Sequence, residues 1–306
     1  MALGMTSKTY IYQSFDWQNL DDNRAYIMWR EARLNAARNI PNLAPVVISD
    51  LANPSESEIF ELSRRCEEAN FALYASDESD RTPPIGRFAA ALGLRIAERH
   101  RSADGSGIVS LEVTDKAAQR GYIPYSPRGM NWHTDGYYNA PDNQISGFIL
   151  HCVRPAGDGG VNQLLDPEIL YIRLRDISPD HIRALMHPSA MTIPENREPD
   201  GTLRPASVGP VFYPDPETGR LQMRYTARTR SISWRDDPAT QAAEACLRDC
   251  LAKDDPLMVQ VALKAGQGVL NNNVLHNRTE FQNGQETGSG RLIYRVRFHN
   301  RVKRNA

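Results

Sequence analysis

The chain has 306 residues, enough to bury a large core and to build one large sheet-rich domain or two ordinary ones. It carries 36 Lys and Arg against 37 Asp and Glu, a formal net charge of −1, which gives no electrostatic case for a nucleic-acid or membrane-surface partner. No run of about 18 apolar residues occurs, and the N-terminal text lacks an apolar stretch of signal-peptide length, so a cytoplasmic protein without membrane association is expected.

The first hundred residues read mainly as helical. Asp16 to Arg38 carries helical spacing with mixed charge. Ser55 to Tyr74 opens with Ser-Glu-Ser-Glu, which suits a helix N-terminus. Pro83-Pro84 breaks the chain, and Arg87 to Arg101 is expected to be helical again. Strand-like text follows at Gly107 to Val113 and at Ile145 to Val153. Asp166-Pro167-Glu168 predicts a helix to about Asp176, with Asp as cap and Pro in the first turn. Gln222 to Tyr225 reads as a strand, and Asp237-Pro238 opens another helix to about Lys253. Leu257 to Leu263, Gly268 to Leu275 and Arg291 to Phe298 are the last predicted strands. The Pro- and Gly-rich stretch from Pro194 to Gly219 reads as a long functional loop rather than a boundary. The expectation is one domain over residues 1–306, helical over about 1–100, with a curled antiparallel β core over about 105–300 and helices packed outside it. Cys66, Cys152, Cys246 and Cys250 form no CxxC pair and are expected to be reduced apolar fillers.

The chemistry-bearing text is His133-Thr134-Asp135, answered far down the chain by His276. Residues two apart on an extended strand project from one face, so His133 and Asp135 can point together. An imidazole from a distant strand would complete a facial set of two nitrogens and one oxygen, which leaves open positions on Fe(II) for a co-substrate and dioxygen. Zinc with a bound water stays open on ligand type alone. His100, His151, His181, His187 and His299 lack a carboxylate at ligand spacing on a convincing strand.

Arg291 to Phe298 alternates. Arg291, Ile293, Arg295 and Arg297 fall on one face of a strand, and Leu292, Tyr294, Val296 and Phe298 on the other. A solvated charged side would explain this, and so would a strand lining an anion pocket. A planar guanidinium grips a carboxylate through two parallel hydrogen bonds.

Four pieces of text, Asn131-Trp-His-Thr-Asp-Gly136, Gly159-Gly160, Leu275-His-Asn-Arg-Thr-Glu-Phe281 and Arg291-Leu-Ile-Tyr-Arg295, together resemble the Fe(II)/2-oxoglutarate-dependent dioxygenases of the taurine dioxygenase and clavaminate synthase-like superfamily. They span residues 131–298, while residues 1–100 match only in being helical. The resemblance implies a mainly β fold with flanking helices, a double-stranded β-helix (jelly roll, cupin-like). It implies Fe(II), 2-oxoglutarate and dioxygen, with release of succinate and CO₂ and oxidation of a C–H bond. His133, Asp135 and His276 would hold iron, and Arg291 would bind the distal carboxylate of 2-oxoglutarate. Arg295 would contact the co-substrate or an anionic part of the substrate. The family often has a threonine shortly after the Gly-Gly pair; Asn162 stands there, and an amide can donate the same hydrogen bond. The stretch from His276 to Arg291 is longer than the resemblance leads one to expect, and its segment Gln282 to Gly290 reads as a surface turn. A carboxylate at Asp135 favours hydroxylation over halogenation, since related halogenases have a small residue there.

Tyr137 and Tyr138 are candidates to line the substrate pocket, and Arg228 and Arg230 to read an anionic substrate. The expected partner is a small polar or anionic metabolite; homo-oligomerisation stays open. Two rival readings use the same residues: a zinc-dependent hydrolase, and a non-catalytic cupin-like protein that binds a metabolite. No Gly-x-Ser-x-Gly elbow supports a serine hydrolase.

Overall fold

The computed structural model describes residues 15–42, 44–77, 83–95, 97–98, 107–114, 122–197, 201–284 and 290–303. His100, Gly105-Ser106 and residues 285–289 of the expected surface turn lie outside them. Helix α1 (Asn23–Ala37) begins where the Asp22 carboxylate accepts the Ala25 N–H at 2.9 Å. Helix α2 (Glu56–Ala69) opens on a capping box: Ser55 and Glu58 each accept the other's backbone N–H. It stops at Asn70, whose φ of 61° is left-handed. Helices α3 (Ile85–Ala91), α4 (Pro167–Ile177), α5 (Pro179–Leu185) and α6 (Pro238–Leu251) follow; the last three pair an Asp or Ser cap with Pro in the first turn, as the text at 166–168 and 237–238 predicts.

Ten strands form the two largest sheets: β1 (Val46–Ile48), β2 (Phe71–Ser76), β3 (Val109–Leu111), β4 (Met130–His133), β5 (Gly147–Arg154), β6 (Asn162–Leu165), β7 (Val259–Val261), β8 (Gln267–Asn271), β9 (Leu275–Arg278) and β10 (Leu292–Phe298). The six-stranded sheet runs β1-β2-β8-β5-β10-β3 and is antiparallel except for β1 with β2. The four-stranded sheet runs β7-β6-β9-β4 and is antiparallel throughout.

Strand alternation sorts side chains into layers. Phe148, Leu150, Cys152, Val269 and Ile293 of the larger sheet share one apolar cluster with Leu164 and Val259 of the smaller, so the sheets face each other. The larger sheet's other face, with Ile149, Leu270, Val296 and Phe298, packs on α2 and α3 through Leu62, Cys66 and Phe88. Leu165 and Leu275, outward from the smaller sheet, pack among α1, α4, α5 and α6. No helix among the described residues is long and apolar enough to cross a membrane.

Several sequence expectations are corrected. The helical first third also holds β1 and β2, which extend the larger sheet, so Tyr74 lies in a strand and not in α2. The helix expected to Arg101 ends at Ala91, and Ala97 bridges Phe298 instead. The run Gly268 to Leu275 is two strands in two different sheets, separated at Asn272–Val274, where Asn273 takes a φ of 54°. The stretch from Pro194 to Gly219 is not an unstructured loop but holds short ribbons, among them Ser207–Gly209 on Met191–Ile193 and Phe212–Pro214 on Leu221–Met223. Strands of two or three residues are too short to leave a period in the text. The alternation in Arg291 to Phe298 holds from Ile293 onward; a register shift separates Leu292 from Ile293, so Arg291 stands before the strand.

Candidate metal centre

His133 ends β4 and His276 lies on β9, and the two are directly opposed in the antiparallel ladder. Both rings point between the sheets: His276 lies 5.0 Å from the Phe148 ring, and the two imidazole centroids are 4.2 Å apart. Asp135 follows past Thr134, whose N–H donates to the Tyr225 carbonyl and whose hydroxyl accepts the Tyr225 N–H. Ligand atoms of His133, Asp135 and His276 all lie within 4.8 Å of one another, and all three residues are buried. These distant residues thus converge as the HxD…H reading expects.

Hydrogen bonding sets the imidazole tautomers. His133 Nδ1 is 2.8 Å from the Asn131 carbonyl and His276 Nδ1 is 3.0 Å from the Val274 carbonyl. A carbonyl only accepts, so each Nδ1 carries the hydrogen and each Nε2 keeps its lone pair for a metal. In both cases the carbonyl belongs to the residue two positions earlier in the chain.

Asp135 is held on three sides. Its Oδ1 accepts from Arg295 at 3.0 Å. Its backbone N–H donates to Asn273 Oδ1 at 2.8 Å, and Asn273 Nδ2 donates to the carbonyls of Asp135 and Ile145. Its Oδ2 is buried with no hydrogen-bond partner. An unpartnered buried carboxylate oxygen beside two Nε2 lone pairs is the mixed nitrogen–oxygen donor set that a borderline divalent ion such as Fe(II) takes. The residues therefore fit the metal the sequence implies.

Electrostatics agree. Burial, then the neighbouring His276, pushes His133 down to about 3, and burial lowers His276 as well. Burial works to raise the Asp135 carboxyl, but Arg295 and Arg297 pull it well below the usual carboxylate range. Neutral imidazoles and an ionised carboxylate are the metal-binding forms.

The second anticipated group also assembles. Arg291 and Asn162 line one small cavity of about 40 Å³ with Gly159, Gly160, Leu263 and Ile293. Arg291 is 6% exposed, and its guanidinium has no carboxylate partner among the described residues. Burial pushes it down to about 10, which leaves it charged at neutral pH. A buried, unpaired guanidinium beside an amide is a ready carboxylate site. Arg295, expected to contact the co-substrate or an anionic part of the substrate, donates one N–H to Asp135.

Tyr137 packs edge-on against His133, ring centroids 6.5 Å apart, and against Tyr138. The Tyr138 hydroxyl accepts from Arg297 at 2.9 Å, and Arg297 pairs with Glu98. The exposed Arg228 lies with its guanidinium carbon 5.8 Å from the Tyr137 ring centroid. Arg230 is exposed further along, and no hydrogen bond or ion pair holds it among the described residues. A wider groove of about 400 Å³ opens on the other face of the smaller sheet, lined by Trp132, Gln163, Asn277 and Leu251; the histidines turn away from it.

Sequence reasoning missed Asn273 and Glu98, and placed Arg297 on the right strand face without assigning it a partner. The run Asn271-Asn272-Asn273 was the available signal, since asparagine favours turns and left-handed backbone.

Residues 84–297 match the profile of the family described as Taurine catabolism dioxygenase TauD, TfdA family. A uridine-5'-phosphate dioxygenase of an Amycolatopsis species is 30% identical over 258 residues, covering 78% of this chain and 87% of that protein. Another, from a Streptomyces species, is 32% identical over 178 residues, covering 55% of this chain and 62% of that protein. Among solved structures, an asparagine oxygenase in complex with Fe(II), 2S,3S-3-hydroxyasparagine and succinate superposes with a TM-score of 0.56 at 16% identity, over 95% of this chain and 91% of that one. The non-heme iron oxygenase OrfP in complex with Fe and alpha-ketoglutaric acid gives a TM-score of 0.60 at 18% identity, over 89% and 85%. At such identities the structural likeness speaks for the fold.

Two outcomes follow from the geometry. Replacing Asn273 by Ala frees the Asp135 backbone and should weaken Fe(II) binding by about 10–100-fold, as loss of outer partners of a metal site does; an anaerobic metal titration measures it. The second concerns the metal-free protein. Above pH 6.5 His133 is neutral whether folded or unfolded and adds no pH dependence. Below 6.5 the unfolded chain takes up a proton that the folded chain refuses until about pH 3, so stability falls as pH falls through that window. His133→Gln should flatten the pH dependence of the urea midpoint there, by up to about 1.4 kcal/mol per pH unit.

Proposed function

Because the chain belongs to the taurine catabolism dioxygenase TauD, TfdA family, we propose that His133, Asp135 and His276 hold its iron and that Arg291 and Asn162 hold the far end of 2-oxoglutarate. The protein is a non-haem Fe(II)/2-oxoglutarate-dependent dioxygenase acting on a small anionic substrate. This decides against the zinc hydrolase and the non-catalytic binding protein. The observation that carries the residue assignment is the convergence of three ligand atoms within 4.8 Å, in the same inter-sheet region as a buried guanidinium with no carboxylate partner among the described residues. We read the two facing sheets as the walls of a double-stranded β-helix, and residues 1–306 as one domain. On the balanced charge we assign no nucleic-acid or membrane-surface partner.

Mechanism follows from what the residues hold. Iron and 2-oxoglutarate, when bound, supply dioxygen activation, with succinate and CO₂ as co-products. His133 and His276 present Nε2 because their Nδ1 hydrogens are committed to backbone carbonyls. Asp135 offers Oδ2 because Arg295 occupies Oδ1. Arg291 would grip the C5 carboxylate with its in-plane N–H fork, and Asn162 would donate beside it. Phe148 and Tyr137, in contact with the histidine rings, keep water from the space between the sheets.

For the substrate we favour a phosphorylated metabolite, with a nucleoside 5'-monophosphate as the first candidate. Two relatives carry the name uridine-5'-phosphate dioxygenase. Arg228, exposed over Tyr137, would meet an anionic group arriving beside His133. Arg230 would add charge at the rim. Asp135 fills the position a halide would need, which favours hydroxylation.

Anaerobic addition of Fe(II) and 2-oxoglutarate should raise a weak visible charge-transfer band that His133→Ala abolishes. Arg291→Ala should weaken 2-oxoglutarate in that titration by about 2–5 kcal/mol, the range for removing one partner of a buried charge pair; unchanged affinity removes Arg291 from the role. With oxygen admitted, uridine 5'-monophosphate should accelerate succinate formation and unphosphorylated uridine should not. Equal stimulation by both would end the case for a phosphate-reading substrate site.

A further inference from the structure

The Arg291 guanidinium rests on an aromatic ring, and we propose that Phe281 is a positioning residue that aims this arginine at the distal carboxylate of 2-oxoglutarate. The inference rests on the reading of Arg291 given above and extends it to a residue outside the expected site. The Arg291 guanidinium carbon lies 5.1 Å from the Phe281 ring centroid. A second guanidinium, that of Arg278, lies 4.8 Å from the same centroid. Arg278 is anchored, donating to the carbonyls of Ser126 and Arg128. Among the described residues Arg291 makes one hydrogen bond, from its backbone N–H to Asn283 Oδ1 at 2.9 Å. Its side chain carries no hydrogen bond or ion pair among the described residues.

Chemistry says why a ring should stand there. A carboxylate beside Arg291 would neutralise it and occupy the N–H fork that the co-substrate needs. An aliphatic side chain would leave a buried cation with no compensation. A ring face attracts a guanidinium electrostatically, most strongly when water is excluded, and leaves the in-plane N–H groups free.

Phe281 is itself tightly located. It pairs with Gly159 in the ribbon formed by Phe281–Gln282 and Asp158–Gly159, and its N–H donates to the Pro127 carbonyl at 3.0 Å. The Gly160 N–H donates to the Glu280 carbonyl at 3.0 Å. Gly159 has a φ of 69°, and a Cβ there would run into the Glu280 carbonyl. A Cβ on Gly160 would sit 3.4 Å from Phe281 Cβ and 3.6 Å from Arg291 Nε. The Gly-Gly turn and the Arg291 side chain line the small cavity, and Phe281 packs against both of them. That supplies a physical reason for three separated motifs to occur together in this chain.

The test is anaerobic titration of the full chain with Fe(II), then with 2-oxoglutarate or 2-oxobutanoate, which keeps the metal-binding 2-oxo acid but lacks the distal carboxylate. Phe281→Leu should raise the Kd for 2-oxoglutarate about ten-fold, the scale of a desolvated cation–π contact. It should leave the Kd values for Fe(II) and 2-oxobutanoate unchanged. Phe281→Tyr and Phe281→Trp keep a ring face and should bind 2-oxoglutarate like the parent; they carry the test if the leucine variant does not fold, a loss of affinity in both overturning the proposal. An unchanged 2-oxoglutarate Kd in Phe281→Leu, with Arg291→Ala weakened, overturns the role of Phe281 and leaves that of Arg291 standing. Equal weakening of both 2-oxo acids in Phe281→Leu marks a general packing role and also overturns it. An unchanged Kd in Arg291→Ala removes the underlying reading, and this inference with it.

Discussion

His276 and His133 stand opposite one another across an antiparallel ladder. Adjacent strands are about 4.8 Å apart, so facing positions bring two inward imidazoles together with no loop needed to fold over them. The ring separation of 4.2 Å is the ladder spacing expressed at the side chains. A register slip of one residue would turn a histidine outward and bring Leu275 or Trp132 inward. The register is defended by packing: Leu275 is fully buried among the helices on the other face, and Trp132 packs against the same cluster. The helical layer therefore acts on the candidate metal site without touching it.

Asp135 depends on a different device. It lies beyond the end of β4, where the ladder no longer controls direction. Asn273 replaces the ladder, with its side-chain amide bonded to both backbone groups of Asp135. Asn273 can do so because it occupies the left-handed turn between β8 and β9, where the chain passes from the larger sheet to the smaller. The connection that carries the chain between sheets thus also orients the carboxylate.

The charges between the sheets are arranged in graded order. Arg295 is compensated by Asp135, and Arg297 by Glu98, so each has its charge balanced by an acid. Arg291 is left with a ring and a small cavity in place of an acid. Buried cations cost free energy unless paired. The arginine without a carboxylate is accordingly the one suited to a ligand, and geometry separates it from two sequence neighbours of identical chemistry.

The sequence by itself determined the helix starts at Ser55, Asp166 and Asp237, because caps are local interactions within a few residues; the first helix, read from Asp16, starts instead after the Asp22 cap. It also pointed to the longest strand, Gly147–Arg154, and to the three candidate ligands that the fold brings together, because an HxD pair and a later histidine carry their chemistry in residue type. It did not reveal that the first third contributes two strands to the larger sheet, since β1 and β2 gain their partners only through long-range pairing. Nor did it reveal the break within 268–278, where both halves read as apolar strand and only sheet membership distinguishes them. Which arginine pairs with Asp135, which pairs with Glu98 and which stays open was decided by tertiary structure alone. Alternation can place side chains on a face, but partners come from strands and loops far away in the chain, and local pattern holds no record of them.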